Sequence, residues 1–173
     1  VAVTGVQTCA LPIFEIALKL SFHFWKNSGK PQKREFVCLT NRYHGETMGA
    51  LSVTDVRLFK AAYGDLIQSA RLVASPDARQ ANIEQTSSDV ALQAISSLKE
   101  VFEQHHETIA VFIVEPLVQG ATGMAMYAPL YLQEARRLCN QYDIPLIADE
   151  IAVGCGRTGT FFACEQADIW PDF

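Results

Sequence analysis

The chain has 173 residues, 49% hydrophobic and 19% charged, which suits one domain with a sizeable core. Its formal net charge of −5 and pI near 5.3 argue against a nucleic-acid footprint, which needs clustered Lys and Arg. No apolar run is long enough to span a membrane, and none sits between a basic start and a small-residue cleavage site.

The five cysteines, Cys9, Cys38, Cys139, Cys155 and Cys164, are odd in number and scattered. None of their spacings matches a zinc or redox motif, so they read as reduced thiols of a cytoplasmic protein. Residues 1–13 show neither strand alternation nor a helical face. They read as a leader foreign to the rest of the chain, or as a divergent loop.

In chain order, residues 14–27 place Phe14, Ile16, Ala17, Leu20, Phe24 and Trp25 on a helical face that ends at Asn27-Ser28-Gly29. Residues 35–40 contain Phe-Val-Cys-Leu, a short buried strand. The small residues of 45–52 predict a helix, and 71–74 a second short strand. Residues 87–104 predict the clearest helix, capped by Ser87 or Ser88, with Val90, Ala94, Ile95, Leu98, Val101 and Phe102 as its stripe. Residues 108–114 are nearly all apolar and β-branched, as in a strand buried on both faces. Residues 131–142 predict another amphipathic helix and 144–148 another buried strand. Residues 168–173 read as the beginning of one more strand. Strand, helix and strand repeat without hairpin signals, so the expected fold is α/β with a mostly parallel sheet and flanking helices.

Ligands of open α/β sheets collect beyond the carboxyl ends of the strands. Three such ends carry polar residues here: Asn41-Arg42-Tyr43-His44-Gly45, Glu115-Pro116 and Asp149-Glu150. Together they offer an aromatic face, acidic groups and glycines, which suit a flat cationic ligand but also many other metabolites. A carboxylate at the end of an apolar strand, as at Asp149, makes its partner matter because the site is buried. Taken alone it reads first as an N-cap or a structural ion pair, and the glycine-rich run that follows shifts the reading toward a ligand. The run Gly154-Cys155-Gly156-Arg157-Thr158-Gly159 comes directly after it; lacking the Walker lysine, it reads as a tight backbone turn beside a ligand.

Three stretches together resemble the class III aminotransferases. Leu146-Ile147-Ala148-Asp149-Glu150-Ile151 with Gly154-Cys155-Gly156-Arg157-Thr158-Gly159 is similar to their cofactor signature. Tyr43-His44-Gly45-Glu46-Thr47 and Glu115-Pro116-Leu117-Val118-Gln119-Gly120 are similar to two further motifs, in the same order. The resemblance runs from about residue 14 to 173. It implies part of the large domain of the fold-type I transferases that depend on pyridoxal 5'-phosphate, preceded by the leader of residues 1–13. Asp149 matches the aspartate that pairs with the protonated pyridine nitrogen. Tyr43 matches the aromatic residue that stacks on the ring, with its hydroxyl placed to meet substrate; a lone Tyr would otherwise read as core packing. Gly45 would permit close approach. Glu115 and Gln119 match residues behind the site, with a purely structural role equally open. Arg157 matches an arginine near the substrate pocket, or else ties the glycine-rich turn to nearby carbonyls. His44 reads as a residue that shapes its turn.

The family's Schiff-base lysine would lie one βα step beyond Asp149, and Lys19, Lys26, Lys30, Lys33, Lys60 and Lys99 all precede it. The family's phosphate-binding Gly-Ser loop would fall just before residue 14, where 1–13 do not match it. No catalytic residue is therefore expected within this chain.

Within the family, Ser21-Phe22-His23-Phe24-Trp25, Val53-Thr54-Asp55, Gly123-Met124-Ala125-Met126-Tyr127 and Phe162-Ala163-Cys164-Glu165 are similar to the branch serving biotin synthesis. That branch passes an amino group from S-adenosylmethionine to 8-amino-7-oxononanoate, and the resemblance implies a homodimer with these small-molecule partners. Ala121 and Ala152 stand where enzymes for ornithine or 4-aminobutyrate carry Glu and Gln. Amine or omega-amino-acid:pyruvate aminotransferases are the alternative. A non-catalytic α/β fragment or interaction module is the alternative of another class.

Overall fold

The computed structural model describes the backbone of residues 5–173 and the side chains of residues 13–56 and 58–173. Residues 1–4 of the expected leader lie outside the described residues. The elements in order are α1 (Gly5–Asn27), β1 (Glu35–Leu39), α2 (Met48–Ser52), α3 (Arg57–Lys60), β2 (Arg71–Val73), α4 (Ser87–His105), β3 (Ile109–Val114), β4 (Val118–Gln119), β5 (Ala125–Met126), α5 (Leu130–Tyr142) and β6 (Leu146–Ala148).

Helix α1 starts at Gly5 instead of Phe14, so its backbone runs on through residues that lack a clear apolar face. Its buried stripe is Phe14, Leu18, Ser21 and Trp25, at the i, i+4, i+7, i+11 spacing of one helical face. Ile16, Leu20 and Phe24, expected on the buried face, point to solvent instead. The sheet accepts only one stripe, and a helix this rich in apolar residues offers more than one.

The main sheet has the order β2-β1-β3-β6, and all its pairs are parallel. Side chains alternate between its two faces. Val37, Leu39, Phe112, Val114 and Leu146 join α4 and α5 in the larger core. Cys38, Val111, Ile113 and Ile147 meet Phe14 and Leu18 of α1 and Ala50 of α2 on the other face. Every residue of β3 is buried, as expected for a central strand covered on both sides. The chain leaves β1 toward β2 at one edge and leaves β3 toward β6 at the other. The carboxyl ends of β1 and β3 therefore flank a topological switch point, where such sheets open a crevice.

Four local expectations change. Strands β4 and β5 pair antiparallel, Val118 with Met126 and Gln119 with Ala125, in a hairpin too short to show alternation in sequence. Helix α4 is capped by Thr86, one residue ahead of the expected serines. Thr86 Oγ1 accepts the Asp89 N–H at 3.2 Å and Asp89 Oδ2 accepts the Thr86 N–H at 2.8 Å, a reciprocal capping box. The helix expected at 45–52 begins only at Met48, because Gly45 holds φ +118° and keeps the preceding turn non-helical. At the end of the chain, the Asp172 N–H donates to the Leu146 carbonyl oxygen at 2.9 Å and the Ala148 N–H to that of Phe173 at 3.0 Å. Residues 172–173 thus lie along the outer edge of β6 without forming a regular strand. Among the described residues, no helix is long and apolar enough to cross a membrane.

Candidate functional site

A cavity of about 540 Å³ opens at the switch point, within the range of small-molecule sites. Three loops build it. Tyr43, His44 and Gly45 follow β1; Glu115, Gly120 and Ala121 follow β3; Asp149 and residues 151–153 follow β6, with Phe14 of α1 and Phe59 of α3 completing the wall. The strand ends singled out in the sequence thus converge on one space.

Asp149 is 8% exposed. Its backbone N–H still donates to the Val114 carbonyl oxygen at 2.8 Å, so the residue continues the β6 ladder and its position is set by the sheet. Its Oδ1 accepts the Ile151 N–H at 3.2 Å, and its Oδ2 lies 2.8 Å from His44 Nδ1. Facing a carboxylate, that ring nitrogen is the donor. The His44 ring is buried and stacks on Phe14 with centroids 4.9 Å apart, and its Nε2 has no hydrogen-bond partner among the described residues. The His44 N–H donates to Thr54 Oγ1 at 3.1 Å, so the loop after α2 holds the turn after β1. Arg42, fully buried, donates to the carbonyl oxygens of Val53 and Leu39 and braces the same two loops; burial lowers its pKa.

Glu150, the neighbouring carboxylate, turns away. It accepts the Ala163 and Cys164 N–H groups, each at 2.9 Å, at the start of a 3-10 turn. Only one acid of the Asp149-Glu150 pair therefore faces the cavity. At Gly154 a Cβ would come within 2.8 Å of the Glu150 carbonyl oxygen, so the chain can fold back there only with glycine.

Tyr43 is half-buried, with its ring 5.0 Å from that of Phe59 and its hydroxyl 3.1 Å from Glu46 Oε1. Burial and the Glu46 carboxylate both raise its pKa. Glu115 is 6% exposed; burial raises its carboxyl above the usual range although two backbone N–H groups donate to it. Gln119 is fully buried. Its Nε2 donates to the Thr40 carbonyl oxygen at 2.8 Å and its Oε1 accepts from Ser75, so it ties the ends of β1 and β2 together behind the cavity.

Of the residues singled out from sequence, Tyr43, Gly45, Glu115 and Asp149 meet at this cavity, and Ala121 and Ala152 line it. Arg157 does not: it is exposed and outside the lining, and its backbone N–H donates to the Gly154 carbonyl oxygen at 3.3 Å. Sequence reasoning did not pair His44 with Asp149, and it missed Phe14, Phe59 and Thr54. The His next to Tyr43 beyond a strand end was the available signal. The described cysteines, Cys38, Cys139, Cys155 and Cys164, are all free.

The site offers two fixed carboxylates, Asp149 and Glu115, apolar and aromatic walls and an imidazole tethered to Asp149. This suits a flat ring carrying a positive charge. The sequence matches the family described as "Aminotransferase class-III" over residues 8–173. It is similar to the adenosylmethionine-8-amino-7-oxononanoate aminotransferases of Staphylococcus aureus, 38% identical over 91% of this chain, and of Helicobacter pylori, 45% identical over 92%. Each alignment covers 35% of the relative, so this chain spans about a third of their length. Among solved structures it is similar to an amine transaminase from an uncultivated Pseudomonas species in its PLP-bound form. That likeness has a TM-score of 0.86 and 31% identity, and covers 94% of this chain and 37% of that one.

Proposed function

Because this chain belongs to the class III aminotransferases, we propose that the full-length protein passes an amino group from S-adenosylmethionine to 8-amino-7-oxononanoate, forming 7,8-diaminononanoate for biotin synthesis. The observation that carries this reading is Asp149, a buried carboxylate fixed in the lining of the switch-point cavity, in a chain 38% and 45% identical to two relatives bearing that name.

Enzymes of this class depend on pyridoxal phosphate, whose protonated ring, when bound, draws electrons from the substrate carbon. Asp149 would hold the proton on the ring nitrogen, and the Ile151 N–H and His44 keep its two oxygens from rotating. Tyr43 would stack on the ring and offer its hydroxyl to substrate. The lining residues fit the ring alone, since none of them is Lys, Arg, Ser or Thr. The phosphate and the anchoring lysine would involve groups outside this lining, in the full-length protein or in the partner of a homodimer. The free thiols suit a reducing cytoplasm.

Ala121 and Ala152 support the choice of acceptor. Small side chains at both positions leave room for a long, mainly apolar keto acid, and each buried CH₂ of such a chain gains about 0.8 kcal/mol. The competing reading, an amine or omega-amino-acid:pyruvate aminotransferase, is favoured by the likeness to the amine transaminase structure.

The test is rescue. The full-length gene should restore growth without biotin in a host lacking this aminotransferase, and the purified enzyme should accept S-adenosylmethionine as donor. Brisk pyruvate amination without rescue would transfer the assignment to the second reading. Cofactor-loaded protein that does neither would favour a non-catalytic role.

A further inference from the structure

One carboxylate joins two walls of the cavity. Glu115 stands at the end of β3 with its side chain buried. Its Oε1 accepts the Tyr43 N–H at 3.2 Å, and Tyr43 belongs to the turn after β1. Its Oε2 accepts the Gly120 N–H at 2.8 Å, and Gly120 opens the 3-10 turn that carries Ala121. Both donors are backbone groups, so the span depends on the length and charge of Glu115 itself.

The outer side of the Ala121 turn is held independently. Arg79 Nη2 donates to the Thr122 carbonyl oxygen at 3.0 Å and Nη1 to that of Gly123 at 3.3 Å, while Asp77 pairs with the same guanidinium at 2.7 Å. With the turn fixed from outside by Arg79, its distance from Tyr43 is set from inside by Glu115. We infer that Glu115 is a positioning residue that sets the spacing between the Tyr43 and Ala121 walls, and thereby the preference for long over short amino acceptors. The preference rests on the aminotransferase reading above; the spacing does not.

The chemistry of the bridge makes it separable. A carboxylate accepts both N–H groups through charge-assisted bonds. A glutamine amide has one acceptor oxygen and must turn an NH₂ toward the second N–H, which repels it. Aspartate keeps the charge but is one methylene short, so it reaches one wall or the other.

Full-length wild type, Glu115→Gln and Glu115→Asp are compared by two measurements. In protein carrying ¹⁵N-tyrosine and ¹⁵N-glycine, the Tyr43 and Gly120 amide protons should resonate downfield in wild type. At least one of the two should move upfield in each variant. In kinetics, the ratio of kcat/KM for 8-amino-7-oxononanoate to that for pyruvate should fall about tenfold in both variants, the scale on which a pocket discriminates by chain length. A merely structural role would lower both kcat/KM values together with the thermal midpoint and leave the ratio within about twofold; that result overturns the assignment of preference. Unmoved amide resonances overturn the spacing claim whatever substrates the enzyme uses. Wild-type protein inactive on both acceptors, with the amide shifts as expected, would instead fault the aminotransferase reading and the preference built on it, and leave the bridge standing. Should the Gln variant fail to fold, the Asp variant carries both readouts.

Discussion

At the amino end of the sheet, the Trp25 indole N–H donates to the Ala110 carbonyl oxygen at 2.7 Å, and Lys33 Nζ donates to that of Asp143 at 2.9 Å. Lys33 also sits 4.2 Å over the Trp25 ring, and Lys30 reaches the Asp143 carboxylate at 2.8 Å. At the carboxyl end the polar side chains are as deeply buried, yet His44 Nε2 and Arg42 Nη2 have no hydrogen-bond partner among the described residues. The two ends therefore serve different purposes. The amino end matches its donors to acceptors and holds strands and helices together. The carboxyl end instead holds Asp149, Glu115 and His44 in fixed positions around a cavity.

If that division holds, the largest effect on stability should come from the amino end and should spare chemistry. Trp25→Ala in the full-length protein should destabilise by roughly 3–5 kcal/mol, the usual cost of truncating a buried aromatic side chain. Turnover per folded molecule should stay near wild type, as read from denaturant melts alongside cofactor-normalised rates. A specific loss of turnover would break the comparison.

Asp149→Asn should do the reverse. An amide cannot hold a ring nitrogen protonated, so turnover should drop roughly 100- to 1,000-fold, the scale seen when one preorganised electrostatic group is lost at a reacting centre. Its far-ultraviolet circular dichroism should match wild type. Near-normal turnover would place the chemistry elsewhere.

Tyr43 sharpens the contrast within the carboxyl end. Tyr43→Ala should weaken cofactor binding by about fivefold, since stacking is worth on the order of 1 kcal/mol. Tyr43→Phe should keep that affinity and impair substrate handling. Equal titration curves for the two variants would rule out a stacked ring.

The smallest effect concerns pH. Burial raises the Glu115 carboxyl above its ordinary value of 4.5. Between its unfolded and folded pKa the native state binds more protons, so stability falls as pH rises through that window. Glu115→Gln lacks this ionisation. Wild type should therefore gain stability relative to the variant as pH falls from neutral toward 4.5, measured by paired thermal melts. A pH-independent difference would show that the carboxylate carries no burial cost.

Much of this architecture was legible in the chain of residues. The β-branched run of β3 and the stripe of α4 follow from side-chain volume and period, which act within a few residues. Asp149 and Tyr43 stood out because an apolar strand that ends in a polar group marks the rim of a sheet. Tertiary structure alone decided which stripe of α1 faces the sheet, since several of its residues are equally apolar and only the fit to Cys38, Ile113 and Ile147 selects Phe14 and Leu18. It also decided that Asp149 enters the cavity while Glu150 caps a turn, and that His44 meets a carboxylate 105 positions along the chain. Those outcomes depend on parallel strands bringing distant loops to one end of the sheet, and no local periodicity carries that information.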